Sequence, residues 1–263
     1  MRRLAGMAPD HGSDPQGDSV FSPECPFTVE RPVMTQRWER LTFVHWSFEP
    51  SAVQRLVPEW LEVETFDGVA WVGVVPFFMR VGTARGRRLS WVSHFCETNV
   101  RTYVRDREGR SGIWFFSLDA ARLGAVLTAR ATYRLPYYWS RMRIDEHRQE
   151  IAYTCRRRWP DPQRTVSRIQ VRIGDPFAAA DLSDRDHFLT ARWLLFSAAG
   201  RRRRYARAWH APWPLRRAEP IAVDDLLVTM AGLPPCGDQE PVIHFSAGVD
   251  VRIGRPERYA RHA

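Results

Sequence analysis

The stretch of sequence that decides the fold is His94–Arg105, which reads HFCETNVRTYVR. Successive side chains of a β-strand point to opposite sides, so this segment divides into two faces. One face carries His94, Cys96, Thr98, Val100, Thr102 and Val104, and the other carries Phe95, Glu97, Asn99, Arg101, Tyr103 and Arg105. The pattern predicts a long strand in which Glu97, Asn99 and Arg101 form one row.

The segment that follows is predicted to pair with this strand as a hairpin. Asp106–Arg110 contains Gly109 and has the length of a hairpin loop. Gly112–Leu118, after the loop, is apolar on both faces. An ordinary register about the loop places Tyr103 opposite Ile113, Arg101 opposite Phe115, and Asn99 opposite Ser117.

A strand that is apolar on both faces is covered on both sides, so the row of Glu97, Asn99 and Arg101 is expected to be covered too. Burying such groups without partners costs several kcal/mol, so they must satisfy one another or line a cavity. Glu97 and Arg101 are about 13 Å apart along the strand, too far for a direct pair without help from other strands. The residues leave two interpretations open, a small-molecule cavity and a structural polar network.

The rest of the chain reads as short strands with a few helices. Four helices are predicted. They run over Pro50–Val57, from Asp119 as the N-cap to Arg130, from Ser183 to Trp193 with Asp186 in a capping box, and over Val223–Ala231. Strands are predicted at Val69–Phe78, Gln149–Trp159, Arg164–Gly174, Trp193–Ser197, Tyr205–His210 and, as the last strand, Val242–Ile253. Hairpins dominate, which predicts an α+β fold with a curved, mostly antiparallel sheet or barrel and a few peripheral helices. Residues 1–24 are expected to be a flexible leader, and residues 25–263 a single domain.

The composition limits the chemistry. The chain has 263 residues and a net charge of +9, and every basic residue is Arg, with no Lys. This arginine-rich, lysine-free composition is interpreted as a coding bias and not as selection for a polyanion. A Schiff base needs a Lys amine, so imine chemistry is excluded. No apolar run reaches the roughly 18 residues of a membrane span, and no secretory signal is seen, so a cytoplasmic protein without a membrane partner is expected.

Metal and nucleic-acid sites are weakly indicated. The four cysteines form no CxxC motif, and His45, His210 and His244 are interpreted as core histidines among aromatic residues. No metal and no cofactor is therefore expected. The run Arg201–Arg204 superficially resembles a nucleic-acid patch, but a solvated loop is the preferred interpretation in so arginine-rich a chain. Whether the chain forms homo-oligomers stays open.

Several longer motifs resemble a known family. They are Thr65–Gly68, Ala70–Gly73, Glu97–Val104, Phe115–Ala120, Ala129–Arg130 leading to Tyr133, Leu135–Tyr137, His210–Leu215 and His244–Asp250. On these motifs the chain is identified as a member of the YqjF-like proteins, domain-of-unknown-function family 2071, over residues 38–142 and 205–252. The family has no settled activity.

Membership implies the fold of acetoacetate decarboxylase, a curved antiparallel sheet that closes around a buried pocket. That enzyme carries a Gly-Arg-Glu segment leading to Pro-Lys-Lys, in which the first Lys forms the Schiff base. The similar segment here runs from Ala129-Arg130-Ala131 to Pro136-Tyr137-Tyr138. Tyr137 then stands where the reactive Lys would be, so decarboxylase activity does not carry over with the fold.

The residues and the resemblance together suggest a site. Glu97 and Tyr137 are the candidate catalytic residues, as an acid or base and a hydrogen-bond donor. The candidate ligand-binding residues are Asn99, Arg101, Arg130 and Tyr138, because an Arg fork suits a carboxylate. The expected function is binding of a small organic anion without Schiff-base chemistry, and whether the protein also transforms this anion stays open. The alternatives are a non-enzymatic binding or scaffold protein with a filled core and an Arg-driven nucleic-acid binder, so enzymatic activity stays undecided.

Overall fold

The computed structural model describes residues 21–83, 93–123, 135–160, 166–199 and 202–259. The strands are β1 Met34–Phe48, β2 Leu61–Val63, β3 Thr65–Phe66, β4 Val69–Thr83, β5 His94–Asp106, β6 Ser111–Ala120, β7 Tyr137–His147, β8 Glu150–Trp159, β9 Val166–Pro176, β10 Leu194–Ala199, β11 Arg202–His210, β12 Leu215–Asp225, β13 Val242–Ile253 and β14 Glu257–Arg258. The helices are α1 Pro50–Gln54, α2 Asp184–Thr190 and α3 Leu227–Met230, with a 3-10 turn at Ala179–Asp181. No helix among these described segments is long and apolar enough to cross a membrane.

The strands form one curved sheet in which two rings share five strands. Strands β13, β1, β4, β5 and β6 are consecutive neighbours. One ring returns from β6 to β13 through β7, β8, β9 and β12, and the other returns through β10 and β11. Pairing is antiparallel except where β6 meets β7 and β10. The predicted α+β class and the curved, mostly antiparallel sheet are therefore confirmed.

Because two rings share β5, both of its faces are buried. Val100 and Val104 on one face are fully buried in a hydrophobic core with Val74 of β4. On the other face the side chains of Glu97, Asn99 and Arg101 are 2%, 6% and 5% exposed, respectively. The expected covering of this polar row is confirmed.

Strand β6 contains one extra residue that changes the predicted register. Tyr103 lies opposite Ile113 and Arg101 opposite Phe115, as predicted, but Val100 then lies opposite Ser117. Phe116 is the extra residue, and beyond it Asn99 lies opposite Leu118, so the predicted pairing of Asn99 with Ser117 is wrong by one position. A bulge of one residue turns every later side chain to the other face.

Asp119 was expected to cap a helix, and this expectation is wrong. It lies in β6, where its backbone pairs with Tyr138 and its side chain is fully buried. The guanidinium of Arg157 donates to both carboxylate oxygens at 2.9 Å, and the hydroxyl of Ser140 donates to Oδ1 at 2.7 Å. Strand pairing thus extends β6 through Ala120, while residues 124–130 of the predicted helix lie outside the described residues.

Asp119→Asn is expected to destabilise the fold by about 3 kcal/mol, because it leaves the charge of Arg157 buried without its counter-ion. Urea unfolding at pH 7 measures the change. Asp145→Asn is the matched control, since its partner Arg143 is largely exposed, and it should cost less than about 1 kcal/mol. Equal losses in the two variants would contradict the stabilising role of the buried pair.

Two other predicted helices are shorter in the structure. Val223–Asp225 belongs to β12 and pairs with β9, which supplies the backbone hydrogen bonds that a helix would have supplied. The helix there is reduced to Leu227–Met230, and the Asp225 carboxylate accepts from the backbone N–H of Val228. The helix predicted at Pro50–Val57 ends at Gln54.

Other local predictions hold. The capping box of Ser183 and Asp186 is present, although α2 ends at Thr190 and not at Trp193. The hairpins β8–β9 and β10–β11 form as expected, and β13 has the predicted bounds. Strand β13 is not the last strand, because β14 follows it and pairs with β11.

Candidate functional site

A cavity of about 310 Å³ lies on the inner face of the shared strands, on the side covered by β10 and β11. Its walls are mostly apolar and include Trp38, Leu41, Val75, Phe77, Phe115 and Leu118. Polar side chains enter it mainly from one strand, β5, which contributes Glu97, Asn99 and Arg101. Its size and its largely apolar lining are typical of small-molecule pockets.

Two bulges set which side chains face the cavity. The bulge at Phe116 in β6 brings Leu118 to the inner face behind Phe115. In β1, Arg40 is an extra residue with φ of 50°, so Trp38 and Leu41 both line the cavity although they are three positions apart. Without such bulges, strict alternation would turn one member of each pair outwards.

Glu97 and Tyr137 meet at one side of the cavity. Parallel pairing of β6 with β7 places Tyr137 beside Leu118, and its hydroxyl donates to Oε2 of Glu97 at 3.0 Å. Burial raises the pKa of Glu97 to about 8; the hydrogen bond from Tyr137 opposes the rise and the negative charge of Asp119 adds to it. Glu97 is therefore mainly a neutral carboxylic acid at pH 7, able to donate a proton.

Arg101 is a buried cation in the cavity wall. Its Nη2 donates to the backbone carbonyl of Leu189 at 3.3 Å, and its guanidinium carbon lies 5.1 Å from the centre of the Phe43 ring. Its Nε is buried and has no hydrogen-bond partner among the residues that the structure describes. No carboxylate in the described part of the chain lies within ion-pair distance of it. Arg101 therefore lacks the counter-ion that buried arginines ordinarily have.

Asn99 has a comparable unsatisfied atom. Its Oδ1 is buried and accepts no hydrogen bond from any described residue. Asn99 and Arg101 are neighbours on the inner face of β5 and line the same cavity. Because native folds rarely leave buried polar atoms unpaired, two such atoms side by side indicate a place where a bound group completes the hydrogen bonding.

Helix α2 lies behind Arg101. The carbonyl of Leu189 accepts from Arg101 and from the hydroxyl of Tyr103, the latter at 2.5 Å. Because Tyr103 donates its proton there, Nε2 of His45 is the donor in their 2.6 Å hydrogen bond. Burial and the nearby charge of Arg101 lower the pKa of His45, so the ring stays neutral. A Cβ at Gly73 would lie 2.6 Å from His45 Nε2, so glycine is what lets this ring lie across β4.

The other two histidines predicted to lie in the core, His210 and His244, have structural partners. Nε2 of His244 lies 2.9 Å from the carboxylate of Asp186, and Nδ1 of His210 donates to the carbonyl of Ala211 at 2.7 Å. Burial lowers the pKa of His210 to about 4. No group of three or more His, Cys, Asp and Glu residues is arranged to hold a metal ion within the described ranges.

Four of the six predicted site residues line the cavity together: Glu97, Asn99, Arg101 and Tyr137. Tyr138 is not among the described lining residues, because adjacent strand residues point to opposite faces. Its ring lies 3.8 Å from the guanidinium carbon of Arg157. Arg130 lies outside the described residues.

The sequence did not predict that β1 forms a wall of the cavity or that the carbonyl of Leu189 accepts a hydrogen bond from Arg101. Strand β1 was not identified, and the bulge at Arg40 interrupts the alternation that would have revealed it. The aromatic and apolar residues Trp38, Leu41 and Phe43 were the available signal. The role of a backbone carbonyl such as that of Leu189 cannot be predicted from the residue type, because every residue has such a carbonyl.

Comparison of the sequence with known proteins identifies its family. Residues 35–250 match the model of the family DUF2071, described as an uncharacterized conserved protein. The uncharacterized protein YqjF of Bacillus subtilis (strain 168) is 34% identical over 222 residues, which cover 83% of this chain and 89% of that protein.

Solved structures with 12–14% identity share the fold. An acetoacetate decarboxylase-like enzyme from Sphingomonas wittichii RW1 has 14% identity and a TM-score of 0.59, covering 88% of this chain and 94% of that one. The enduracididine biosynthesis enzyme MppR complexed with pyruvate has 12% identity and a TM-score of 0.62, and the match covers 88% of this chain and 92% of that one. Acetoacetate decarboxylase from Legionella pneumophila has 13% identity and a TM-score of 0.55, covering 93% and 94%. The chain thus has an acetoacetate decarboxylase-like fold and belongs to the DUF2071 family, together with YqjF.

Proposed function

We propose that this protein binds a small organic carboxylate in the cavity and exchanges a proton with it through Glu97. The observation that carries the proposal is Arg101, a buried cation without a carboxylate partner among the described residues, in the wall of a mostly apolar cavity. An isolated buried charge is costly, and a carboxylate held by the guanidinium would neutralise it.

Glu97 supplies the proton in this proposal. As a neutral acid beside the Tyr137 hydroxyl, it can donate to an oxygen or carbon atom of the bound anion at pH 7. A covalent imine is excluded because the chain has no Lys. The structural neighbour MppR was solved with pyruvate, which is also a small carboxylate, and this supports the class of ligand.

The two alternatives have less support. A scaffold with a filled core does not account for a cavity of about 310 Å³ beside Glu97. For a nucleic-acid binder, a second and smaller run of arginines, Arg156–Arg158, offers two exposed charges and not three, because Arg157 is buried against Asp119.

Arg101→Met is expected to weaken binding of a small carboxylate by about 100-fold, because it removes a charge-assisted fork of hydrogen bonds. Isothermal titration at pH 7 with straight-chain carboxylates, benzoate and phenylacetate measures the loss, and the corresponding primary amides test the need for charge. Arg168→Met is the matched control, since Arg168 is exposed on β9 and the substitution changes the net charge equally.

Both variants are first checked for native circular dichroism, and Arg101→Lys is included because it keeps the charge without the fork. The proposal is abandoned if no carboxylate binds the native protein. It also fails if Arg101→Met binds the acids as tightly as Arg168→Met does.

A further inference from the structure

Three polar groups that a ligand would meet are spaced along one strand, β5, and Gln36, Ser93, Ser197 and Tyr205 also line the cavity. Glu97, Asn99 and Arg101 occupy alternate positions of β5, and their pairing with β4 is regular, so no bulge lies between them. Alternate positions of a strand are about 6.7 Å apart, which separates the Cα atoms of Glu97 and Arg101 by about 13 Å.

The walls beside this row are apolar. Val75 and Phe77 of β4 lie directly opposite Asn99 and Glu97, and Phe115 and Leu118 of β6 lie on the other side of β5. All four line the cavity. A ligand that extends along β5 would leave any polar group that faces these four residues against hydrocarbon, so its polar groups belong on the edge that faces the row.

Each member of the row calls for a different chemical group. The guanidinium of Arg101 suits a carboxylate. The unpartnered Oδ1 of Asn99 accepts hydrogen bonds and needs a hydroxyl or N–H. Tyr137 donates to Oε2 of Glu97, so the acid proton of Glu97 is directed from its other oxygen towards an acceptor such as a carbonyl.

We infer, on the basis of the proposed function, that the ligand is an extended monocarboxylic acid with a hydroxyl or N–H near its middle and a carbonyl oxygen near its far end. Hydrogen bonds of about 2.9 Å, lying obliquely at the two ends, take up roughly 5 Å of the 13 Å span, which leaves about 8 Å between the carboxylate and the carbonyl. An extended chain advances roughly 1.2 Å per bond, so these groups are about seven bonds apart. Short oxo acids would reach Arg101 or Glu97, but not both.

The test compares straight-chain acids of five, seven, nine and eleven carbons, each with and without a carbonyl on the penultimate carbon. Isothermal titration at pH 7 measures the affinity gained from the carbonyl at each length. The gain is expected to be about tenfold at nine carbons and close to none at five, as for one added hydrogen bond. A hydroxyl on the middle carbon of the nine-carbon acid should add a further gain that Asn99→Leu removes.

Variants of Glu97 separate recognition from folding. Glu97→Gln keeps an N–H donor and should retain the preference for the carbonyl. Glu97→Leu should lose the preference, so that the keto acid and the plain nine-carbon acid bind it with equal affinity. Arg101→Met should bind both the plain nine-carbon acid and the nine-carbon keto acid much more weakly than the native protein does.

Two outcomes would overturn the inference, and only the second would also overturn the proposed function. If acids of every length bind and the carbonyl gives the same gain at each length, or none, the spacing of Glu97 and Arg101 along β5 does not select the ligand, and the proposed function stands without it. If no acid binds at any length, the proposed function fails as well.

Discussion

Glu97→Gln is expected to be more stable than the native chain at pH 9, by up to about 5 kcal/mol, and to differ little from it at pH 4. Burial raises the pKa of Glu97 from an ordinary 4.5 to about 8. The folded chain therefore holds this proton more tightly than the unfolded chain does. The contribution of Glu97 to stability is fully present below pH 4.5, is lost as the pH rises towards 8, and is constant above that. Glutamine keeps the hydrogen bond from Tyr137 and never ionises.

Urea unfolding at pH 4, 7 and 9 measures this difference, with Glu62→Gln as the control because Glu62 is exposed on β2. The control should shift stability by less than about 0.5 kcal/mol at each pH. A Glu97→Gln effect that is the same at all three values would mean that Glu97 is not buried as a neutral acid. The binding experiment gives a second readout, since carboxylate affinity should fall above pH 8 in the native protein and stay level in Glu97→Gln.

Gly248→Ala is expected to lower the free energy of unfolding by more than about 4 kcal/mol, so that much of the expressed protein does not fold cooperatively. A Cβ at Gly248 would lie 2.0 Å from the carbonyl oxygen of Trp38 and 2.9 Å from Cα of Glu39. Gly248 also has φ of 130°, a conformation that disfavours any side chain. β1 and β13 could admit the methyl group only by moving apart beside the bulge at Arg40.

Gly109→Ala separates the effect of the steric clash from the effect of the unfavourable backbone conformation. Gly109 has φ of 79° but no atom within 4 Å of its added Cβ, so this variant should lose only about 1 kcal/mol through backbone strain. Thermal unfolding followed by circular dichroism compares the two. A Gly248→Ala midpoint close to that of Gly109→Ala would show that β1 and β13 do not approach each other this closely.

The sequence by itself determined the elements whose pattern is local. The alternation of His94–Arg105 and the short loop at Asp106–Arg110 predicted β5, its hairpin with β6 and the burial of Glu97, Asn99 and Arg101. These predictions held because side-chain alternation and a short loop fix a hairpin between neighbouring segments. The absence of Lys was equally direct, since the sequence offers no lysine amine on which a Schiff base could form.

The tertiary structure decided which of these groups meet. Tyr137 reaches Glu97 through the parallel pairing of β6 with β7, and Leu189 accepts from Arg101 through the position of α2. Asp119 became the buried partner of Arg157 because β7 and β8 extend the sheet beside β6. Registers between strands distant in sequence depend on packing and on bulges such as Arg40 and Phe116. A bulge changes the face of every later side chain while leaving the residue types unaltered, so the local pattern could not reveal it.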